Sequence, residues 1–238
     1  MNKITSAVKC ASYSPSELAS SLRKAVELSG DLPEVKGKTV LLKPNILSAS
    51  APEKAVTTHP EFVKQCVLLF LDLGAKEVLA GDSPGYHSSE AGGKKSGIME
   101  AVKEAGGTWV DFSDSVTVKN PSGKLVKSFK LASVIKKADI IISLPKMKTH
   151  QLLYYTGAMK NIFGLVPGLK KASFHLRFSD RNLFARMIVD LNLAVKNVYS
   201  IMDGITAMEG HGPGSGNPRQ AGVILASSNP LALDIAAS

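Results

Sequence analysis

Cysteine is scarce in this sequence. The 238 residues include only two cysteines, Cys10 and Cys66, and no CxxC spacing occurs. Because an iron-sulfur cluster usually takes about four thiolate ligands, the composition predicts that this chain holds no such cluster by itself. Any cluster would lie in a partner protein or in a further module.

Long apolar runs are also absent. No stretch of about eighteen uninterrupted apolar residues occurs. The segment MNKITSAVKCASYS lacks the apolar centre of a signal peptide. The sequence therefore predicts a cytoplasmic protein without a membrane partner.

Aromatic residues are few, whereas positive charges are many. Aromatic side chains make up 6% of the chain, and no RNA- or DNA-binding motif is present. Lysine and arginine number 29 against 20 acidic residues, which gives a formal net charge of +9. This excess indicates an anionic partner, such as a phosphate, a carboxylate or an acidic protein. Nucleic acid is not expected, because few side chains can stack on bases.

Several familiar site motifs are missing. The loop 210–216 lacks the spacing of a phosphate-binding P-loop and does not join a strand directly to a helix. Ser215 lies between glycines without a preceding strand, so it is not a nucleophile elbow. The histidines form no HExxH pattern, so no cofactor or metal is predicted by motif. A metal site gathered from distant loops stays open, with the candidates His59, His150, His175, His211, Asp82, Asp203 and Glu209.

The order of apolar and polar segments indicates an α/β fold. Hydrophobic residues make up 44% of the chain, which is enough for the core of a single domain over residues 1–238. Strand-length apolar runs and helical patterns alternate at 39–42, 60–71, 77–80, 98–104 and 139–144. This alternation predicts a three-layer, Rossmann-like fold, in which a mostly parallel sheet is flanked by helices. The turn at 120–123 predicts a β-hairpin addition to the sheet.

Turn-forming and helix-capping residues predict one loop, two strand ends and the state of the last helix. Residues 86–95 are rich in Ser, Gly, Glu and Lys, which fits either a mobile flap or a surface loop, and we predict the surface loop. Pro145 is expected to end the central strand, and Asp203 with Gly204 to end the strand 198–202. The helix that begins after Asn229 stops without a cap. We therefore expect a truncated chain, with any iron-sulfur module beyond residue 238.

Polar side chains follow four of the predicted strands. Because the carboxyl ends of parallel strands meet at one edge of a sheet, these side chains should share one site. Lys146, Lys148 and His150 are the candidate catalytic residues. The candidate ligand-binding residues are Lys43, Asn45, Asp82, Ser83, Lys160, Asn161, Asp203 and Glu209. Polar residues also commonly end strands, so each position taken alone has a purely structural interpretation.

Two strings point to a known family. PKMKTH at 145–150, followed by TGAMKNIFGLVPG at 156–168, resembles the signature of the domain-of-unknown-function 362 family, whose members often occur beside ferredoxin-type iron-sulfur modules. Further agreeing stretches are Leu42 to Asn45, Thr57 to Pro60, Gly81 to Gly85, Met202 to Gly204 and Met208 to Pro213. The resemblance implies a redox association with a ferredoxin-like protein or domain.

A second resemblance concerns the fold. Thr57 to Pro60 before a helix, and Gly74 to Lys76 before a strand, are similar to the first domain of the nickel-dependent lactate racemase family. This resemblance implies a similar fold and pocket position. None of that family's metal-cofactor residues is carried over.

Two functional hypotheses follow. In the first, the chain is a redox-associated enzyme or enzyme component that binds a small anion, with a lysine as general base or Schiff-base amine and His150 as proton shuttle. Glu209 would then be a buried charge partner whose replacement by glutamine weakens binding. In the second, the basic face from Lys160 to Arg181 docks an acidic ferredoxin-like partner and the chain does no chemistry. Recessed positions for Lys146 and His150 would favour the first hypothesis.

Overall fold

The computed structural model describes residues 4–48, 50–85, 88–168 and 170–238. The strands are β1 (Ser6–Lys9), β2 (Thr39–Pro44), β3 (Glu77–Ala80), β4 (Thr108–Trp109), β5 (Ser115–Lys119), β6 (Ser128–Ala132), β7 (Ile140–Leu144), β8 (Lys146–His150), β9 (Tyr154–Thr156), β10 (Val198–Glu209) and β11 (Asn217–Ser227). The helices are α1 (Pro15–Ser29), α2 (Pro60–Asp72), α3 (Ser89–Lys95), α4 (Ile98–Glu104), α5 (Ala158–Asn161), α6 (Lys170–Arg177), α7 (Arg181–Ala194) and α8 (Pro230–Ala237). Short 3-10 turns occur at Pro52–Lys54, Ser133–Lys136 and Ile162–Leu165.

The main sheet is mixed, with a parallel centre. Its order is β1-β11-β10-β7-β2-β3-β4. The pairs from β10 to β4 are parallel, whereas β11 is antiparallel to both β10 and β1. In the parallel part Lys43 lies opposite Ser143, so β2 and β7 end at the same edge. This register brings the polar residues that follow these strands together.

Helices cover both faces of the sheet, as predicted. Along β2 the side chains alternate, so Val40 and Leu42 pack into one core while Leu41 packs into the other. The first core contains residues of α1, α2 and α4, and the second contains residues of α7. The three-layer α/β fold class is therefore confirmed. Within the described residues, no helix combines the length and apolarity needed to cross a membrane.

The predicted hairpin is present as a sheet of its own. Strands β5 and β6 pair only with each other among the described residues, and they do not extend the main sheet. The carboxylate of Asp190 in α7 accepts the backbone N–H groups of Lys124, Leu125 and Val126 at 2.6 to 2.8 Å. These bonds hold the turn of the hairpin against α7.

One predicted strand end is confirmed and one is wrong. Strand β7 ends at Leu144, directly before Pro145 as predicted, and a separate strand, β8, begins at Lys146 beside β10, with Lys146 opposite Asp203. Strand β10 does not end at Asp203, because it continues to Glu209 by pairing with β11. The pairing partners lie far away in sequence, so local turn signals could not reveal them.

The surface loop expected at 86–95 is also partly wrong. Residues 89–95 form α3, whose first turn is capped by the Ser88 side chain accepting the N–H of Ala91 at 3.1 Å. Gly93 lies so close to Trp109 that an added Cβ would sit 2.5 Å from its ring. Capping and tertiary packing therefore favour a helix in a segment that contains two glycines. Tyr86 and His87 lie outside the described residues.

Candidate functional site

A buried ion pair joins the ends of two neighbouring strands. Lys43 at the end of β2 places Nζ 2.8 Å from Oδ1 of Asp82, which follows β3 after Gly81. The two side chains are 1% and 3% exposed. Burial lowers the pKa of Lys43, and the Asp82 carboxylate opposes this shift. Because the strands are adjacent and parallel, the sheet itself sets this contact.

The carboxylate of Asp82 is held by the main chain as well. Oδ2 accepts the N–H of Ile46 at 2.7 Å, and Oδ1 accepts the N–H of Ser83 at 2.8 Å. Hydrogen bonds from backbone N–H groups stabilise the ionised carboxylate. Asp82 therefore has a fixed orientation beside Lys43.

Asn161 links the ion pair to the central strand. Its Nδ2 donates to the Lys43 carbonyl at 3.0 Å and to Ser143 Oγ at 2.9 Å. This direction makes Oδ1 of Asn161 an acceptor, and it accepts from Lys43 Nζ and Asn45 Nδ2, each at 3.2 Å. The remaining amide oxygen of Asn45 has no hydrogen-bond donor among the described residues.

Gly164 lies against the ion pair. A Cβ added at this position would sit 2.2 Å from Cε of Lys43 and 2.3 Å from Oδ1 of Asp82. Any side chain would therefore push these two groups apart. The glycine in the string KNIFG is explained by this close approach.

A second buried network lies beside the first. Lys146 at the start of β8 contacts Asp203 of β10, with Nζ 2.8 Å from Oδ2 and the two side chains 1% and 0% exposed. Asp203 also accepts the Tyr13 hydroxyl at 2.8 Å and the N–H of His59 at 3.0 Å. The rings of Tyr13 and His59 stack with centroids 3.7 Å apart. Tyr13 precedes α1 in an unremarkable polar segment, so nothing in the sequence pointed to it.

Lys148 and His150 follow on β8. Lys148 is buried, and its Nζ donates only to the Val56 carbonyl, at 2.7 Å, among the described residues. Burial and the nearby ammonium groups of Lys160 and Lys146 hold its pKa well below the usual lysine value.

His150 is a neutral imidazole at ordinary pH. Burial and the neighbouring cations Lys160 and Lys148 lower its pKa to about 3. Its Nδ1 accepts the N–H groups of Leu152 and Leu153 at 3.1 Å. The proton of the neutral ring therefore belongs on Nε2, which is a hydrogen-bond donor.

A cavity of about 190 Å³ lies beside the Lys43–Asp82 ion pair. The lysine cavity, as we call it, is lined by Lys43, Lys160, Lys171, Asn45, Asp82 and Ser83 together with apolar neighbours. Burial lowers the pKa of Lys160 to about 8, and the charge on Lys43 adds to this shift. Burial also lowers the pKa of Lys171 to about 8, although Asp82 opposes the shift.

Lys160 and Lys171 differ in their hydrogen-bond partners. Lys171 donates to the Ser83 carbonyl, whereas Lys160 has no acceptor among the described residues. Lys171 belongs to α6, and the sequence had pointed to it only as part of a basic face.

The structure gathers most of the predicted site residues. Lys43, Asn45, Asp82, Ser83, Lys160 and Asn161 line the lysine cavity. Lys146, Lys148, His150 and Asp203 lie on the neighbouring strands β8 and β10. Glu209 is not part of this group, because it is exposed and pairs with Arg219 at 2.6 Å. Its predicted role as a buried charge partner therefore has no structural counterpart.

The candidate metal ligands do not form a cluster among the described residues. Among the described residues, no three His, Cys, Asp or Glu side chains are grouped closely enough to hold a metal ion. His59 uses Nδ1 to accept the N–H of Glu61 at 3.2 Å, which caps α2. His175 packs its ring on Phe184 with centroids 4.6 Å apart.

Two solved structures share this fold. The lactate racemase apoprotein of Thermoanaerobacterium thermosaccharolyticum superposes with a TM-score of 0.54 at 12% identity, over 95% of this chain and 55% of that one. A protein of Thermotoga maritima gives a TM-score of 0.52 at 16% identity, over 94% and 57%. The chain thus spans little more than half the length of these proteins. At such identities the likeness shows the fold alone.

Sequence comparison gives a closer relationship. The chain is 36% identical over 245 residues to a thylakoid-associated protein of Synechocystis sp., covering 98% of this chain and 73% of the relative. Residues 40–238 match the family described as Domain of unknown function (DUF362). The chain therefore belongs to the DUF362 family, as the motifs at 145–150 and 156–168 had indicated.

Proposed function

We propose that this protein binds a small anion, bearing a carboxylate or phosphate group, in the lysine cavity. The observation that carries the proposal is an excess of lysines over carboxylates in and around the cavity. Three of the lysines at or beside the cavity, Lys43, Lys146 and Lys148, are buried, and two more, Lys160 and Lys171, are half-buried, whereas the buried carboxylates paired with them are two, Asp82 and Asp203. Buried charges without a counterion are costly, so an anionic ligand would offset much of this cost.

The hydrogen-bond partners of the five lysines support one position for the anion. Lys43 and Lys146 already contact carboxylates, whereas Lys148 and Lys171 donate to carbonyl groups. Lys160 is half-buried at the cavity wall without an acceptor among the described residues. We therefore assign the first contact with the anion to Lys160.

The same arrangement supports an enzymatic role. A lysine with a lowered pKa gives up its proton more readily than an ordinary lysine, so it can act as a general base or as a Schiff-base amine. Neutral His150 is better suited to donate a hydrogen bond from Nε2 than to shuttle protons, because its pKa is about 3. Redox chemistry in this proposal comes from a ferredoxin-like iron-sulfur partner and rests on the family resemblance.

The alternative is a docking module for an acidic iron-sulfur protein. Lys170, Arg177 and Arg181 are exposed and form a basic face that suits such a partner. Docking alone gives no reason to bury Lys146 and Lys148, which are 1% and 2% exposed. The burial supports ligand binding as the main role. The cytoplasmic location stays a prediction, since the Synechocystis relative is described as thylakoid-associated.

Replacing Lys160 with methionine tests the anion site. We expect Lys160→Met to weaken binding of inorganic phosphate or acetate by about tenfold to a hundredfold, because a charge-assisted hydrogen bond is lost. Isothermal titration calorimetry measures the affinity. Lys130→Met, at an exposed position on β6, is the matched control and should bind as the wild type does. Equal affinities in the Lys160 and Lys130 variants would refute the assignment.

The pH dependence of binding provides a second test. Lys160 and Lys171 have pKa values of about 8 in the unliganded protein. They are ammonium groups below that pH and neutral amines above it, so anion affinity should fall as the pH rises beyond about 8. Lys160→Met should show a shallower fall, since one titrating group is removed. Affinities measured from about pH 6.5 to 9.5 that do not change with pH would contradict this prediction.

A further inference from the structure

A second cavity adjoins the lysine cavity. It measures about 330 Å³, and four of its lining residues are serines: Ser83, Ser88, Ser89 and Ser113. Ser83 lines both cavities and separates one from the other. We call the second one the serine cavity. Its lining also includes Lys170 and Gly168.

Three of the four serine hydroxyls in the serine cavity have unused hydrogen-bonding capacity, whereas Ser113 donates to the carboxylate of Asp111, which also lines this cavity. Ser89 is 6% exposed, and its Oγ has no partner among the described residues. Ser83 and Ser88 accept the N–H groups of Gly168 and Ala91 at 2.7 and 3.1 Å, which leaves their own O–H groups free to donate. A buried hydroxyl without a partner is costly, and such groups in native proteins usually meet a ligand or water.

The lysine cavity has one unused acceptor of its own. Oδ1 of Asn45 has no donor, and its direction is set by the chain of bonds through Asn161 to the Lys43 carbonyl. A ligand group that donates a hydrogen bond would satisfy it. An ammonium group is unsuited to this position because the surrounding lysines repel it. A neutral hydroxyl is the donor that fits the charge of the site.

We infer that the ligand is an anion attached to a short hydroxylated chain, such as a polyol phosphate or a hydroxycarboxylate. This inference rests on the proposed anion site. The anionic head lies beside Lys160, the first hydroxyl donates to Asn45, and the rest of the chain passes Ser83 into the serine cavity. Serine hydroxyls both donate and accept, so they suit the hydroxyls of such a chain.

Matched ligand pairs test the inference. Glycerol 3-phosphate is compared with propyl phosphate, and glycerate with propionate, by calorimetry on the wild-type protein. The hydroxylated member of at least one pair should bind about tenfold more tightly, as expected for two new hydrogen bonds. The pair that shows the preference identifies the head group as phosphate or carboxylate.

A serine variant locates the effect. Ser89→Ala removes the unpaired hydroxyl without leaving a partner unsatisfied, so the fold and the affinity for inorganic phosphate or acetate should be unchanged. The preference for the hydroxylated ligand should fall roughly fivefold. Ser16→Ala, at an exposed position in the first turn of α1, is the control and should keep the full preference.

Three results would overturn the inference. Equal binding of hydroxylated and deoxy ligands would refute the hydroxylated chain but not the anion site. An unchanged preference in Ser89→Ala would show that the serine cavity is not used. If neither inorganic phosphate, acetate nor any larger probe binds, both the proposed anion site and this inference are refuted.

Discussion

Replacing Gly164 with alanine is expected to lower the free energy of unfolding by about 3–5 kcal/mol, the cost of breaking a buried ion pair. The added methyl group would occupy the space of Lys43 Cε and Asp82 Oδ1, which lie 2.2 and 2.3 Å from its ideal position. The buried pair must separate, and neither charge can reach water. Anion binding should be lost as well, because Lys43 and Asp82 line the lysine cavity. Urea denaturation and phosphate titration measure the two effects.

A loss of stability in Gly164→Ala would show that the steric clash with the ion pair outweighs the general preference of helical backbone for alanine. Alanine favours helical backbone by up to about 1 kcal/mol over glycine and reduces the entropy of the unfolded chain, so both general effects would stabilise the variant. Gly85→Ala is the matched control, because Gly85 lines the same cavity and has no atom within 4 Å of an added Cβ. A Gly164→Ala protein as stable as the Gly85→Ala protein would show that the ion pair tolerates displacement.

Replacing Asp203 with asparagine should also lower the free energy of unfolding by about 3–5 kcal/mol. The carboxylate is 0% exposed and accepts bonds from Lys146 Nζ, the Tyr13 hydroxyl and the His59 N–H. An amide has one acceptor atom and one donor group, so at least one of these donors would face another donor. Lys146 would also keep its charge without a counterion. Denaturant unfolding monitored by circular dichroism measures the loss.

Two further variants show whether the broken ion pair causes the loss of stability in Asp203→Asn. The double variant Lys146→Met with Asp203→Leu removes both charges and should recover part of the stability, because apolar side chains can replace a buried ion pair. Glu209→Gln removes an exposed carboxylate paired with Arg219 and should cost under about 1 kcal/mol. Its ligand affinity should also stay unchanged, contrary to the role expected from the sequence. An Asp203→Asn protein no less stable than Glu209→Gln would contradict the buried network.

Local sequence was sufficient to predict the edge of the sheet at which the site lies. The apolar runs 39–42, 77–80 and 140–144 are short and flanked by Gly or Pro, so parallel strands with shared carboxyl ends were predictable. Lys43 lies at the carboxyl end of one of these strands, and Asp82 follows another after Gly81. Their contact follows from strand adjacency, a property that β-α alternation largely determines.

Residues that depend on distant pairing were not predictable in this way. Asp203 resembled a turn residue beside Gly204, yet it lies within β10 because β11 pairs along the whole strand. Tyr13 reaches it from the segment before α1, 190 positions away in sequence. Neither hydrophobic periodicity nor turn chemistry carries information about such contacts.

The sequence alone determined the α/β class, the parallel centre of the sheet and the family, because these depend on apolar periodicity and on motifs that are local in the chain. Only the tertiary structure decided which lysines pair with carboxylates and which remain without a counterion. In the structure Glu209 lies outside the site, and Lys171 lies in it because α6 packs beside the lysine cavity. The physical reason is that burial and distance set the electrostatic state of a side chain, and both arise from the packing of segments far apart in sequence.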